Sequence, residues 1–352
     1  MKYVGALVVA LLVVCLITSA NAAVKFDDKG ITRIDGKSFF PIGIFLYDFN
    51  NDVLAEVHQQ GFNTIIWGAS EKDLPTIKQH GLMWIPREMQ CLDTKDKSSI
   101  LAWYAIDEPE DRNTTPEQVH EVYKKIRAAD PDRPIGICHY NLEQTKRYKD
   151  SEDYVMISAY PVDAARKGWQ GMVKAVGSYV DFVHGHRGKS CPVWSIIQTF
   201  GGKDTDNGIW ALPTPIEMRA MTYSALAHGA QGVLFFSYWP QGGRTWTEVG
   251  TVARELHQLT PFLVSPGEEP QITSSDGVVH TRCIKVGKSG IVIAVNTEPT
   301  FRSTTISVPK LKLGTLDLPF ENRTITPKDR AFTDRFMPYE VHVYQWGETP
   351  SL

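Results

Sequence analysis

Residues 101–118 read Leu101-Ala102-Trp103-Tyr104-Ala105-Ile106-Asp107-Glu108-Pro109-Glu110-Asp111-Arg112-Asn113-Thr114-Thr115-Pro116-Glu117-Gln118. An apolar run ends on two carboxylates and a proline, and a helix start follows. Thr115 is placed as an N-cap, Pro116 in the first turn and Gln118 three residues on, which is a capping box. The segment is one strand–helix unit. A strand without alternation is one covered on both faces, as in a parallel sheet.

The same unit recurs on either side. Apolar runs rich in β-branched and aromatic residues occupy 39–45, 63–68, 82–87, 101–106, 134–140, 154–160, 192–199 and 232–238, and helical patterns separate most of them. Thr214-Pro215-Ile216-Glu217 repeats the capping box before a helix that stops at Gly229. Val249, Val252, Leu256 and Leu259 form one apolar stripe for a closing helix. Too little chain separates the third and fourth strands for a full helix, so that unit is abbreviated. Eight strands with crossovers predict an α/β fold, a (β/α)8 TIM barrel over 23–264. The rival, a doubly wound open sheet, needs a Gly-x-Gly-x-x-Gly turn after an early strand, and none follows Phe45 or Gly68.

From about Ser265 the pattern changes to short alternating strands without helices, at 278–282, 291–295, 304–308 and 339–344. These predict a small C-terminal antiparallel β-sandwich domain over 265–352. Residues 31–37 read as an opening hairpin, near which a late strand of this domain is expected to pair.

At the other end, Met1 and Lys2 precede an apolar run from Val4 to Ile17, and Ser19-Ala20-Asn21-Ala22 supplies small residues. The reading is a secretory signal peptide over 1–22. The run is shorter than the roughly 20 residues of a membrane span, so no stable membrane insertion is expected once it is cleaved. A lipoprotein signal at Cys15 would want a small residue where Val14 stands. Secretion permits disulfides among Cys91, Cys138, Cys191 and Cys283, in any of three pairings, while buried thiols remain the other reading. It also permits glycosylation at the sequons of Asn113 and Asn322, although Pro116 follows the first closely.

A formal net charge of −3, with 37 Lys and Arg scattered singly or in pairs, offers no stripe for a phosphate backbone, so nucleic acid is not an expected partner. Nine tryptophans suit either a core or a cleft that stacks flat apolar ligand faces. No Gly-x-Ser-x-Gly elbow is present. His184-Gly185-His186 lies in what reads as a Gly-rich turn without a third ligand, so neither metal nor cofactor is expected.

In such a barrel the chemistry belongs at the C-terminal ends of the strands. Asp107 and Glu108 stand at the fourth. Tyr47, Trp67, His139, Tyr140, Tyr160, Gln198, Tyr238 and Trp239 stand at or just past the others, mixing aromatic faces with hydrogen-bonding groups as a carbohydrate cleft requires. Each alone is also a plausible packing residue.

Here the sequence resembles the large clan of barrel glycoside hydrolases whose fourth strand ends Asn-Glu-Pro. The resemblance rests on strand order, Trp103 with Asp107-Glu108-Pro109, His228-Gly229-Ala230-Gln231-Gly232-Val233 before the eighth strand, and Ile293-Ala294-Val295-Asn296 in the trailing domain. It implies a secreted glycosidase acting on a polysaccharide or glycan, with Glu108 as general acid/base. Asp107 replaces the Asn that contacts the neighbouring sugar hydroxyl. The clan's nucleophilic Glu should end the seventh strand, where this chain has Gln198. Another carboxylate, Asp48, Glu88 or Asp163, would then serve as nucleophile or as base for water. Alternatively the Asp107-Glu108 pair resembles hexosaminidases that use the substrate's own acetamido group. The remaining reading is a catalytically silent barrel, acting as a glycan-binding or extracellular-matrix protein.

Overall fold

The computed structural model of the chain describes residues 23–163, 173–202, 208–238 and 243–351; the expected leader and Trp239 lie outside them. Three short strands open the chain, β1 (Val24–Phe26), β2 (Thr32–Ile34) and β3 (Lys37–Phe39). They form an antiparallel sheet of their own in the order β1-β2-β3. The expected pairing of a C-terminal strand with this hairpin is therefore wrong. Val24, Phe26, Ile34 and Phe39 instead pack on Tyr154, Trp194 and Leu234 of the barrel, plugging its N-terminal end. Burying these side chains stabilises the hairpin more than an exposed edge pairing would. Pro41, without an N–H, separates β3 from the first barrel strand, so the apolar run 39–45 is two elements.

The barrel strands are β4 (Ile42–Phe45), β5 (Thr64–Ile66), β6 (Met83–Ile85), β7 (Trp103–Asp107), β8 (Ile135–His139), β9 (Tyr154–Ala159), β10 (Val193–Gln198) and β11 (Gly232–Phe236). They form one eight-stranded sheet in the order β6-β5-β4-β11-β10-β9-β8-β7, parallel throughout. Parallel bridges Trp84–Ile100 and Arg87–Tyr104 bring its two ends together, so the barrel is nearly closed. Around it lie α1 (Asn51–Gln59), α2 (Leu74–Gln79), α3 (Pro116–Ala129), α4 (Gln144–Arg147), α5 (Val173–Arg187), α6 (Pro215–Ala227) and α7 (Gly243–Leu263). No α-helix lies between β6 and β7, the abbreviated unit. Both capping boxes form, Thr115 with Gln118 and Thr214 with Glu217. The barrel interior takes large rings where the neighbouring strand lacks a side chain: a Cβ on Gly136 would sit 2.3 Å from the Tyr154 ring, and one on Gly232 would sit 2.7 Å from Trp194.

The C-terminal segment supplies β12 (Thr273–Ser274), β13 (Val279–Val286), β14 (Ser289–Asn296), β15 (Arg302–Ser307), β16 (Leu316–Leu318), β17 (Arg323–Ile325), β18 (Ala331–Phe336) and β19 (Val341–Trp346). They make two sheets, β13-β14-β19-β16-β17 and β12-β15-β18. Val292, Ala294, Ile306, Phe332, Phe336 and Tyr344 are buried in one cluster. The other face of the larger sheet joins the barrel: Ile284, Ile291, Ile293, Val295, Val341 and Val343 belong to the same core cluster as Met218, Met221 and Leu226 of α6. Arg282 donates to the Leu226 carbonyl at 2.9 Å, and Arg219 to that of Val341 at 2.8 Å.

Cys91, Cys138, Cys191 and Cys283 are all free thiols. His184 and His186 lie on α5 and not in a turn; His186 bonds to the Phe182 carbonyl at 2.8 Å and to Thr145 at 3.3 Å.

Candidate active site

The fourth barrel strand carries its carboxylates through a local irregularity. The β7–β8 register shifts between Tyr104 and Ile106, after which Asp107 lies opposite Cys138. A bulge of this kind re-aims the side chains that follow it. Glu108 leaves the strand in the left-handed region, with φ at 43°, a conformation that costs a non-glycine residue of order 1 kcal/mol. Two bonds hold it there. Its N–H donates to the Cys138 carbonyl at 3.1 Å, and its own carbonyl accepts from Asp111 at 3.1 Å. Pro109 fills the turn between.

Burial pushes the Glu108 carboxyl up to about 7; Asp107, Asp111 and Glu110 add to the rise and Arg112 opposes it. An acid that holds its proton near neutrality is one that can deliver it to a leaving group. Asp107 beside it is provided with donors. Tyr104 donates its hydroxyl to Oδ1 at 2.6 Å, and the Arg87 guanidinium stands 3.7 Å from Oδ2. Burial holds the Tyr104 hydroxyl and the Cys138 thiol well above their ordinary pKa values, with the Asp107 charge acting in the same direction. Both therefore stay protonated beneath the two carboxylates.

Aromatic rings form a wall beside this pair. Tyr47 meets Trp67 at 5.8 Å between centroids, Trp67 meets Phe236 at 6.0 Å, and Phe236 lies over Tyr160 at 6.1 Å with 27° between planes. Tyr160 continues to Phe200 at 4.9 Å and Trp210 at 6.0 Å. Arg87 lies 4.5 Å over the Trp67 ring, and so ties the wall to Asp107. Tyr47 is exposed, Tyr160 half-buried and Trp67 buried. Tyr140 is exposed as well and donates its hydroxyl to Asp111 at 2.6 Å.

Three expected sugar contacts are otherwise employed. Gln198 is buried with both ends of its amide on backbone: Oε1 accepts from Val162 N–H at 3.0 Å, and Nε2 lies 3.0, 3.2 and 3.1 Å from the carbonyls of Val162, Phe200 and Ala211. It clamps the loops after β9 and β10 and leaves no group for a sugar. His139 is fully buried between Glu110 and Glu152. Tyr238 packs its ring on Trp246 at 4.6 Å, away from the acid loop.

Of the carboxylates expected to face Glu108, Asp48 is exposed on the rim, Glu88 pairs with Arg112 at 3.2 Å, and Asp163 bridges to Trp210. The charges that raise Glu108 belong to its own loop, Asp107, Asp111 and Glu110. The sequence reading missed Phe200, Trp210, Tyr104 and Cys138. Trp210 reaches the wall through its bridge to Asp163, a long-range pairing that no local pattern announces.

The family model described as beta-galactosidase, glycoside hydrolase family 42, matches residues 57–252, more than half of the chain. No curated protein matches. Among solved structures, a glycoside hydrolase family 5 protein from Bacteroides vulgatus superposes with a TM-score of 0.64 at 11% identity, covering 92% of this chain and 93% of its own. A structure described as a glycoside hydrolase gives 0.62 at 12% identity, with 92% and 96% covered. A family 30 endoxylanase from Clostridium papyrosolvens gives 0.55 at 12% identity, with 92% and 98% covered. At such identities the likeness is one of fold.

Proposed function

The chain belongs to this glycoside hydrolase family, and on that premise we propose that it is a secreted glycosidase that cleaves a polysaccharide or glycan with Glu108 as its general acid. The observation that carries the reading is a half-buried glutamic acid, raised to about 7, held at the end of the fourth barrel strand beside an aromatic wall. Protonated Glu108 gives its proton to the glycosidic oxygen as the bond to the anomeric carbon breaks, and the aglycone leaves as an alcohol. The rings from Tyr47 to Trp210 offer the apolar faces on which pyranose rings rest.

The attacking group is then the question, since Gln198 is engaged with backbone. The arrangement favours the substrate's own acetamido oxygen. Tyr104 and Arg87 present Asp107 as an acceptor for the acetamido N–H, directly beside the proton donor. The carbonyl oxygen would attack the anomeric carbon, and Glu108, now a carboxylate, would take a proton from the water that opens the cyclic intermediate. The leader pattern supports secretion, as do sequons at Asn113 and Asn322, which are both exposed.

The test is turnover on matched glycosides with and without a 2-acetamido group, β-galactosides included because of the family's description, for the parent and Glu108→Gln. Cleavage confined to acetamido substrates and lost in the variant supports the reading. Equal cleavage of both sets would move the attacking role to water activated by another carboxylate. The clamped Gln198 favours one second reading, a glycan-binding protein without turnover, and binding with no cleavage of any substrate would establish it.

A further inference from the structure

The loop that carries Glu108 is held by a buried chain of alternating charge. Glu110, two residues beyond the acid, accepts from the backbone N–H groups of Tyr140 and Asn141 at 3.1 and 3.2 Å through Oε1. Its other oxygen lies 3.7 Å from His139 Nδ1. His139 Nε2 stands 3.1 Å from Glu152, whose second oxygen accepts from Arg187 of α5 at 2.6 Å. The side chains of His139, Glu110 and Glu152 are nine-tenths buried or more, and Arg187 is nearly so. Tyr148 stacks on His139 at 5.9 Å and donates its hydroxyl to the Thr114 carbonyl at the far end of the same loop.

We propose that His139 is a positioning residue for the proton donor: an imidazolium pinned between Glu110 and Glu152 that fixes the Glu108 loop against the end of β8. The inference rests on the reading of Glu108 as general acid. Two buried carboxylates facing one neutral ring would carry an uncompensated charge, which a buried site does not tolerate without rearrangement. The two carboxylates together outweigh the burial that opposes the charge, and His139 stays protonated to about pH 9. Glu110, set against that cation, holds its proton less tightly than an ordinary glutamate. The pin is thus charged on both sides throughout the neutral range. Glu108 itself bonds to this strand through the Cys138 carbonyl, so the anchor and the acid share one edge.

The experiment compares the parent with His139→Gln, Glu110→Gln and the double variant, using turnover and the infrared carboxyl band of Glu108, assigned by its loss in Glu108→Gln. In His139→Gln kcat falls about tenfold or more while KM changes little, as a displaced reacting group requires. In the same variant the Glu108 band titrates at lower pH than in the parent, because a loosened loop loses the burial that raises Glu108, whereas loss of a nearby cation alone would raise it. Glu110→Gln keeps the His139–Glu152–Arg187 chain, so it folds even if the first variant does not, and its kcat falls likewise. The double variant removes the cation together with the carboxylate it pins, and recovers melting temperature without recovering kcat. A kcat that follows melting temperature in all three variants, or a Glu108 band unmoved or raised in His139→Gln, would overturn the proposal. The infrared result does not depend on turnover, so an inactive parent whose band falls in His139→Gln would reject the glycosidase reading and leave the pin on this loop standing.

Discussion

Gln198 and Val162 bond to each other twice: the amide oxygen accepts from the Val162 N–H at 3.0 Å and the amide nitrogen donates to the Val162 carbonyl at 3.0 Å. Only a group with both a donor and an acceptor can do this. Gln198→Glu would therefore not restore a nucleophile. A carboxylate there faces the carbonyls of Val162, Phe200 and Ala211, and the expected outcome is a loss of about 3 kcal/mol in denaturant unfolding with no gain in turnover.

The pH profile of turnover follows from Glu108. As a general acid it must be protonated, so kcat/KM should fall above about pH 7. Asp107→Asn removes a neighbouring charge that raises Glu108, and the alkaline limb should move to lower pH. Glu108→Gln should lower kcat by about 100-fold or more. Initial rates between pH 5 and 9 check all three.

Stability should decline with rising pH as well, in a lower window. Glu108 titrates near 7 when folded, above its ordinary value of 4.5, so the folded state binds the extra proton between these values. Stability contributed by this group therefore declines as pH rises through that window. Glu108→Gln does not titrate and should be more stable than the parent at pH 8, by about 1 kcal/mol after solvent screening. Paired urea titrations at pH 5 and pH 8 measure the difference.

His139 gives an alkaline signature. Its pKa is raised from 6.5 to about 9 by Glu152 and Glu110, against burial. The stabilisation is fully present below the unfolded value and is lost as pH rises through the folded one. The melting temperature should decline between about pH 6.5 and 9, and His139→Gln should flatten that decline. Calorimetry across the range tests it.

Trp210 closes the aromatic wall against Tyr160. Trp210→Ala should raise KM about tenfold and alter kcat less, since the ring is far along the wall from the proton transfer. A change confined to kcat would place the ring at the reacting sugar instead.

The barrel strands were legible because burial on both faces writes itself as continuous apolar sequence, as in β9 and β11, and the helix starts because Thr115 and Thr214 use a local code. The carboxylate pair was legible from its place after a strand. What sequence could not tell was where the polar atoms of rim residues find their partners. Gln198 and His139 stand at strand ends, yet one bonds to backbone and the other lies between buried carboxylates from other segments. The opening hairpin was legible at 31–37 but its placement was not, since strands of three residues carry too little pattern to choose between an edge and a plug.

The larger C-terminal sheet and α6 share one apolar core, as Ile291, Ile293 and Val343 show beside Met218 and Leu226. A chain cut after Val264 would send into water the flank of a helix that frames the strand bearing Gln198 and the strand bearing Phe236. Such a fragment would be recovered as aggregate and not as a free-standing barrel, and heating the intact chain would show one absorption peak in place of two. The trailing sheet is in this sense a wall of the enzyme's foundation, and trimming it for crystallisation or display would remove the support along with the appendage.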